Sequence, residues 1–409
     1  MDVNQPLSLL AGLTPAQFMR RHWQKKPLLV RAALPDFKPV LSRSELFKLA
    51  ARAEVESRLI VQNNADWRMT QGPFAPRSLP ALNKTAWTLL VQGVDLHDQK
   101  AYQLLQQFRF LPDARLDDLM ISFATPGGGV GPHFDSYDVF LLQVSGCRRW
   151  KISKQKDLTL QPDVPLKILQ NFAAEEEFVL EAGDMLYLPP RYAHEGIAEV
   201  AVDGNGKVLD CMTYSVGFRA PAKRELAAEL LHRLAEFSED DEDAPVGVSG
   251  RGGRSPRRYR DPEQLATTTP GAVPEGLAAF ATQAVLEALQ DPLAVACALG
   301  EYMTEVKSSV WFGEVTVSWD PQETVSLCLA PQTKMLYDAH HVFINGESYL
   351  AKGADARLMQ RLADQRKLVP VELAKASLSA RSLLTDWHDA GWLVAVPQLT
   401  KKHGNEPGR

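Results

Sequence analysis

Three side chains in the middle of the chain are of the types that bind a catalytic metal ion. His133 and Asp135 are two residues apart in the segment GGGVGPHFDSYDVF, and alternate residues of a β-strand point to the same face. His194 lies farther along, after LYLPPRYA, where the proline pair is expected to end a strand. Two histidines and one carboxylate are the ligand set of the non-heme iron(II) oxygenases, which leaves coordination positions open. The spacing therefore predicts an iron(II) site made by His133, Asp135 and His194.

A cationic side chain would complete such a site, because the commonest co-substrate of these oxygenases is 2-oxoglutarate. Its distal carboxylate needs a cation, and an arginine suits a bidentate contact with a carboxylate. Arg148 and Arg149 follow the Ser145-Gly146 turn on the next predicted strand. Neighbouring residues of a strand point to opposite faces, so only one of the two arginines faces the interior.

The elements that position these residues differ along the chain. The first 115 residues are predicted to be mainly helical, with a helix start at Thr14-Pro15 and helices over Ser44–Ala53 and Asp95–Phe108. From Leu119 to Phe218, short runs rich in β-branched and aromatic residues alternate with glycine and proline turns. This pattern predicts a β-sandwich or barrel that carries the metal site.

The part of the chain after the β-rich region is predicted to begin with an amphipathic helix over Ala222–Phe237. The acidic run Glu239–Asp243 and the arginine-rich stretch behind it predict a mobile linker at about 238–260. Two further helices are predicted, over Gly276–Gln290 and Pro292–Lys307. These helices carry more apolar surface than a monomer needs, which predicts a homodimer through this region: Leu277, Phe280, Val285, Leu286, Leu293, Val295 and Leu299.

The last hundred residues alternate in strand fashion around Asn345-Gly346, a pair typical of a hairpin turn. Helices are predicted over Asp355–Arg366 and Val371–His388, and the closing WLVAVP is predicted to be a strand. Helices followed by a terminal strand pair resemble a winged helix.

Length and composition exclude several classes of protein. The 409 residues predict two or three domains, and 45% hydrophobic with 23% charged residues is typical of a globular chain. The net charge of −5 argues against a general nucleic-acid binder. The four cysteines form no CxxC pair, which argues against a structural zinc site and fits a reducing compartment. No apolar run is long enough to span a membrane, so we expect a soluble cytoplasmic protein.

Two stretches resemble a known family. Two sequences, DDLMISFATPGGGVGPHFDSYDVFLLQVSGCRRWKI and AGDMLYLPPRYAHEGIA, are similar to the bacterial JmjC-domain ribosomal oxygenases, most of all to the arginine hydroxylases that act on large-subunit ribosomal protein sixteen. HWQKKPLLVRAALP near the N-terminus resembles the opening of the same family. The resemblance implies a mixed α+β fold with a double-stranded β-helix (cupin/JmjC) core and N-terminal helices over residues 1–220. A helical dimerisation region over 221–307 and a winged-helix-like domain over 308–409 would follow.

The resemblance also implies roles for individual residues. His133, Asp135 and His194 match the iron ligands that carry catalysis, and Arg148 matches the residue that holds 2-oxoglutarate. The implied reaction uses iron(II), 2-oxoglutarate and dioxygen to hydroxylate the β-carbon of an arginine. The implied partners are that ribosomal protein and a second copy of the chain, with no membrane and no specific nucleic acid. The pocket for the substrate arginine would be lined by four residues: Asp118, Met120, Tyr137 and Ser215.

Other interpretations remain open at this stage. A related JmjC protein could hydroxylate another residue or act as a demethylase, and the residues that line the pocket would discriminate these activities. A protein of another class would bind ribosome or nucleic acid through its C-terminal domain and keep a vestigial cupin, although intact ligands argue against decay. Asp118 could instead cap a strand or pair with a surface arginine, and Tyr137 could be a core residue.

Overall fold

The computed structural model describes residues 2–35, 37–63, 66–239, 258–262, 265–266, 269, 271–308, 310–313, 315, 319 and 325–397. The chain divides into two compact units, Met1–Ala220 and Pro221–Arg409. Most of the predicted linker at about 238–260, with Arg251, Arg254 and Arg257, lies outside the described residues.

The first unit is built on a large antiparallel sheet that faces a small one. Its strands are β1 (Leu28–Val30), β2 (Ser57–Asn63), β3 (Asp66–Gln71), β4 (Trp87–Val91), β5 (Leu116–Ala124), β6 (Val139–Ser145), β7 (Cys147–Ser153), β8 (Glu176–Leu180), β9 (Met185–Leu188), β10 (Ala193–Glu199) and β11 (Cys211–Phe218). The large sheet has the strand order β1-β9-β6-β11-β5-β4-β2-β3, and the small sheet has the order β10-β7-β8. The β-rich region thus ends at Phe218, as predicted.

The prediction that the first 115 residues are mainly helical was wrong. Three of the strands there, β2, β3 and β4, extend one edge of the large sheet, and β1 forms its other edge. β4 is buried along its whole length, so its sequence WTLLV lacks the alternation that marks a half-buried strand. A continuous apolar run of this kind cannot be assigned to a strand or a helix from its period alone.

Short helices cover the outer face of the large sheet. They are α1 (Pro15–Arg21), α2 (Arg43–Leu49) and α3 (Gln99–Leu105), and 3-10 turns lie between them. α1 starts where predicted, because the Thr14 side chain accepts from the amide of Gln17 and the Gln17 side chain accepts from the amide of Thr14. The main core lies between these helices and the sheet, with Phe18, Trp87 and Phe140 fully buried.

A second core lies between the two sheets and includes Leu141, Trp150 and Leu186. Alternation along the central strands of the large sheet divides their buried apolar residues between the two cores. On β5, Leu119, Ile121 and Phe123 belong to the outer core, so the residues between them face the opposite sheet. This inner face is where the candidate functional residues are found.

The second unit begins with α4 (Lys223–Glu239), α5 (Glu275–Ala288) and α6 (Pro292–Thr304), close to the predicted helices. It continues with β12 (Val325–Leu329), β13 (Met335–Tyr337), β14 (His341–Ile344), β15 (Glu347–Leu350), α7 (Gly353–Gln365), β16 (Lys367–Leu368), α8 (Pro370–Leu373), α9 (Leu378–Asp389) and β17 (Leu393–Pro397). Asn345 and Gly346, with φ of 49° and 92°, form the predicted two-residue turn between β14 and β15.

Two details of this unit differ from the sequence-based expectation. The single helix predicted over Val371–His388 is two helices, α8 and α9, with Ser377 capping the second. A capping serine competes for backbone hydrogen bonds and therefore begins a helix more readily than it continues one. Most of the strand predicted at VTVSW lies outside the described residues.

Candidate metal centre and its pocket

The first candidate ligand pair lies in the connection between β5 and β6 and not on a strand as predicted. His133 forms only an isolated antiparallel bridge with His194 of β10. The amide of His133 donates to the carbonyl of His194 at 2.9 Å, and the reverse contact is 2.8 Å. Pro132, which has no amide hydrogen, precedes the bridge and helps explain why no longer ladder forms. The bridge still sets the two histidines side by side.

The backbone of Asp135 is held by the turn that precedes His194. The amide of Arg191 donates to the carbonyl of Asp135 at 2.7 Å. Arg191 has a φ of 64°, a left-handed conformation that residues other than glycine seldom adopt. It follows the Pro189-Pro190 pair that separates β9 from β10. This sharp turn thus links the backbone of Asp135 to the strand that carries His194.

The three side chains converge on one point. One ligand atom from each of His133, Asp135 and His194 lies within 4.8 Å of the others. His194 Nε2 is 3.7 Å from Asp135 Oδ2, and the two imidazole rings are 4.2 Å apart between centroids. The structure therefore brings together the three residues that the sequence predicted as ligands.

Backbone carbonyls determine which nitrogen of each imidazole faces the centre. His133 Nδ1 lies 2.9 Å from the carbonyl of Gly131, and His194 Nδ1 lies 2.9 Å from the carbonyl of Tyr192. A carbonyl only accepts, so each Nδ1 carries the proton and each Nε2 presents a lone pair. This arrangement is the usual support of a metal-bound histidine.

Electrostatics keep His194 in its metal-binding form. Burial and the adjacent His133 lower the pKa of His194 to about 4, although Asp135 acts in the opposite direction. A neutral imidazole is the form that coordinates a metal ion. The donor set, two imidazole nitrogens and one carboxylate oxygen, fits a first-row divalent ion such as iron(II).

Arg148 is the arginine that faces the interior. Its side chain is 3% exposed, and it lies on the inner face of β7 with Trp150 and Ile152. Its Nη1 is 3.4 Å from the carbonyl of Gly196, a long contact. Within the described part of the chain, its Nε and Nη2 are buried without a hydrogen-bond partner. Buried guanidinium donors without acceptors lower the stability of the folded protein, so Arg148 is expected to bind an anion.

Arg149 faces the opposite way and is satisfied by the protein. Its Nε donates to Glu199 at 2.6 Å, and its Nη1 donates to Glu177. Both contacts lie on the outer face of the small sheet, where Arg149 is more than a third exposed. The structure therefore decides which of the two neighbouring arginines faces the interior, a choice that strand alternation alone left open.

Trp150 was not singled out from the sequence, yet it connects Arg148 with the metal ligands. Its ring lies 5.8 Å from the Arg148 guanidinium and 5.9 Å from the His194 ring. Gly196 makes room for it, since a Cβ there would lie 2.7 Å from the indole. Trp150 is two residues after Arg148, and Gly196 is two residues after His194, so strand alternation could have placed both inside.

The four residues assigned to the substrate pocket occupy one region. Met120 of β5 is the register partner of Ser215 of β11, and both are half-buried between fully buried neighbours on the other face. Asp118 lies on the same face of β5, and the amide of Gly93 donates to its Oδ2 at 2.9 Å. Tyr137 lies just before β6, which pairs with the other side of β11.

Tyr137 connects this pocket to the metal ligands. Burial raises the pKa of Tyr137 above its ordinary value, and the carboxylates of Asp135 and Asp118 raise it further. Its hydroxyl therefore stays protonated and donates to Asp135. The side chain is nevertheless 39% exposed, so its ring is open to a ligand. An acidic group and an aromatic ring next to a metal site suit a cationic, planar side chain.

Two models of known families match the sequence. The model of the JmjC domain matches residues 103–226, and the model of the ROXA-like winged helix matches residues 287–394. The curated ribosomal protein uL16 3-hydroxylase of Escherichia coli is 43% identical over 210 residues, which are 51% of this chain and 53% of that protein. The chain spans about half the length of such curated relatives in these alignments.

Solved structures extend the similarity over nearly the whole chain. The crystal structure of YcfD from Escherichia coli is 31% identical, covers 93% of this chain and is itself covered to 97%, with a TM-score of 0.75. A structure of YcfD with cobalt and 2-oxoglutarate is 30% identical, with coverages of 94% and 98% and a TM-score of 0.74. These matches confirm the predicted fold class, a JmjC/cupin core followed by a winged helix.

Proposed function

The chain belongs to the bacterial JmjC-domain ribosomal oxygenases, and from this premise we propose that it is an iron(II)- and 2-oxoglutarate-dependent protein hydroxylase. Its proposed substrate is an arginine of a large-subunit ribosomal protein, hydroxylated at the β-carbon. The uL16 3-hydroxylase of Escherichia coli supports the choice of the ribosomal protein. None of the described helices is both long and apolar enough to cross a membrane.

His133, Asp135 and His194 would hold the metal ion. When bound together, iron(II), 2-oxoglutarate and dioxygen supply the oxidising chemistry, which no amino-acid side chain provides. The protein's part is to present two imidazole nitrogens and a carboxylate on one side. The opposite side stays available to the co-substrate and dioxygen.

The observation that carries the proposal is the environment of Arg148. A guanidinium that is 3% exposed and has two donors without partners among the described residues needs an anionic acceptor. The distal carboxylate of 2-oxoglutarate is such an acceptor. Trp150, between Arg148 and His194, supports the guanidinium by a cation–π contact and excludes water from the interior.

The proposed arginine pocket is lined by Asp118, Met120, Tyr137 and Ser215. Asp118 would accept from the substrate guanidinium, and the ring of Tyr137 would form a flat wall beside it. Tyr137 donates to Asp135, so the wall of the pocket is connected directly to a proposed metal ligand. This connection would bring the arginine side chain next to the oxidising centre.

The arginine proposal is tested with two peptides of the ribosomal protein that differ only in carrying arginine or lysine. We expect hydroxylation of the arginine peptide, and little of the lysine peptide, because a compact ammonium cannot replace a planar fork of donors. The loss of the charge-assisted contact should cost about 2–4 kcal/mol. Mass spectrometry measures the gain of one oxygen atom.

Asp118→Ala is the matching variant of the protein. It should lose hydroxylation of the arginine peptide while iron and 2-oxoglutarate still bind. Equal turnover of the two peptides, or an active Asp118→Ala variant, would place the substrate elsewhere and favour another target residue.

We also propose a homodimer formed through the helices of residues 221–307, and a cytoplasmic location. Six of the seven apolar residues predicted to form the dimer contact are exposed, whereas Val295 packs against the small core around Leu234. Exposed apolar surface of this extent supports a protein interface. None of the four cysteines forms a disulfide within the described part of the chain, which fits a reducing compartment, where the ribosomal substrate is made.

A further inference from the structure

Gly217 lies at an irregularity between the two strands that form the proposed substrate pocket. The pairing of β11 with β5 shifts its register beside Gly217. The shift leaves Asp117 and Asp118 of β5 opposite this one glycine. Such a bulge redirects side chains, and bulges are common next to active sites.

The space at Gly217 is bounded by the two residues that matter most for the pocket. A Cβ built on Gly217 would lie 3.8 Å from Asp118 Oδ1 and 3.9 Å from Tyr137 Cε2. Apart from its chain neighbours, no other described residue comes within 4 Å of that point. The glycine backbone therefore forms the floor of a gap between an acidic oxygen and an aromatic ring.

Backbone conformation does not explain the glycine. Its φ is outside the left-handed region that favours this residue, unlike those of Gly127 and Gly131 in the connection between β5 and β6. An alanine would fit without strain, since both contacts are at ordinary van der Waals distance. Gly217 is itself buried, and what an alanine would fill is the space between the Asp118 and Tyr137 side chains.

We propose that Gly217 is a specificity-determining residue, whose missing side chain keeps open the slot that a substrate guanidinium occupies between Asp118 and Tyr137. This inference rests on the proposed arginine hydroxylation. A guanidinium is flat, so it can bond to a carboxylate at its edge while an aromatic ring covers its face. A methyl group in contact with both walls would fill that slot without displacing either wall.

The test compares Gly217→Ala and Gly217→Val with the wild-type protein. Calorimetric titration with the arginine peptide measures binding, and succinate formation measures the KM for 2-oxoglutarate. We expect peptide affinity to fall about tenfold or more for alanine and further for valine, where about 1.4 kcal/mol corresponds to each factor of ten. The KM for 2-oxoglutarate and the melting temperature should stay near the wild-type values.

Gly204→Ala is the matched control, because a Cβ there meets no described atom within 4 Å. It should leave peptide affinity unchanged. Wild-type peptide affinity in Gly217→Val would overturn the inference, and so would an equal loss of 2-oxoglutarate affinity or stability in both Gly217 variants. Failure of the wild-type protein to bind the arginine peptide would instead overturn the proposed function on which the inference rests.

Discussion

At the scale of single residues, each candidate ligand is fixed by a backbone contact before any metal arrives. The Nδ1 atoms of His133 and His194 face carbonyls, and the backbone of Asp135 is held by the amide of Arg191. Because these contacts already orient the ligand residues, the site does not have to reorganise when the ion binds. Each ligand then contributes separately to metal affinity.

The metal ligands are tested by His133→Ala and Asp135→Ala. Both variants should lose nearly all turnover and most of their iron, because two remaining ligands cannot hold labile iron(II) on one side. Succinate formation and metal content after purification measure the two effects. Near-normal turnover of Asp135→Ala would contradict the assignment of the ligands.

The two neighbouring arginines offer a matched pair of variants. Arg148→Ala should raise the KM for 2-oxoglutarate roughly 10–100-fold, since a charge-assisted bidentate contact is worth about 1.5–3 kcal/mol. Arg149→Ala removes only the contacts with Glu177 and Glu199 on the outer face and should change this KM little. The reverse order of effects would mean that Arg149 holds the co-substrate.

At the scale of secondary-structure elements, residue types in the sequence predicted the metal ligands better than the elements that carry them. The HxD pair and His194 were found from their chemistry, although His133 and Asp135 lie in a connection and not on a strand. The choice between Arg148 and Arg149 depends on the register of β7 with β10 and β8. That register is set by long-range pairing, which a single sequence does not contain.

Glycine positions were the hardest to interpret from sequence. Gly196 and Gly217 each leave space for a neighbouring group, Trp150 in one case and the proposed substrate in the other. A glycine within a strand has no chemical group that suggests a role, so only the surrounding side chains reveal it. Strand alternation could have placed Trp150 on the inner face, whereas Ser215 was assigned to the pocket only from the family resemblance.

A buried acid fastens the N-terminal segment to the large sheet and gives the fold a pH dependence. Asp138 is fully buried and accepts from the Tyr187 hydroxyl at 2.6 Å and from Gln24 Nε2 at 2.9 Å. Burial raises the pKa of Asp138, although these donors and Arg115 act in the opposite direction. The folded protein therefore binds this proton more tightly than the unfolded chain does.

The stabilisation linked to the Asp138 proton is complete below the unfolded pKa of about 3.9 and is lost as the pH rises through the folded pKa. We expect the advantage of the wild-type protein over Asp138→Asn, measured as the free energy of unfolding in urea, to shrink from about pH 4 to about pH 7. An advantage that grows over this range would mean that the hydrogen bonds and Arg115 outweigh burial.

At the scale of the whole molecule, the first unit contains the candidate metal centre and its pocket. The second unit contains the exposed apolar residues proposed to form the dimer contact. Helix α5 is rich in apolar residues, yet none of its residues is buried against the described part of the chain. Val285 is 47% exposed and Leu286 is 52% exposed. The sequence predicted this surface because exposed apolar residues on a helix are usually covered by another helix or protein. Helix periodicity does not identify the protein that covers them.

The homodimer is tested by light scattering at micromolar concentration. The wild-type protein should be a dimer, and Phe280→Asp or Leu286→Asp should be a monomer, because a buried carboxylate without a partner opposes association. Leu350→Asp is the control, since Leu350 is 73% exposed and lies on a strand of the second unit. A monomeric wild-type protein would contradict the predicted assembly.

The central claim, arginine hydroxylation of a large-subunit ribosomal protein, is tested most directly in cells. Mass spectrometry of ribosomal proteins is compared between cells with the gene, cells without it, and cells that carry His133→Ala. The account predicts one arginine in a large-subunit protein that is heavier by one oxygen atom only in cells with the intact gene. The same oxygenated arginine in all three strains, or no oxygenated arginine in any of them, would contradict it.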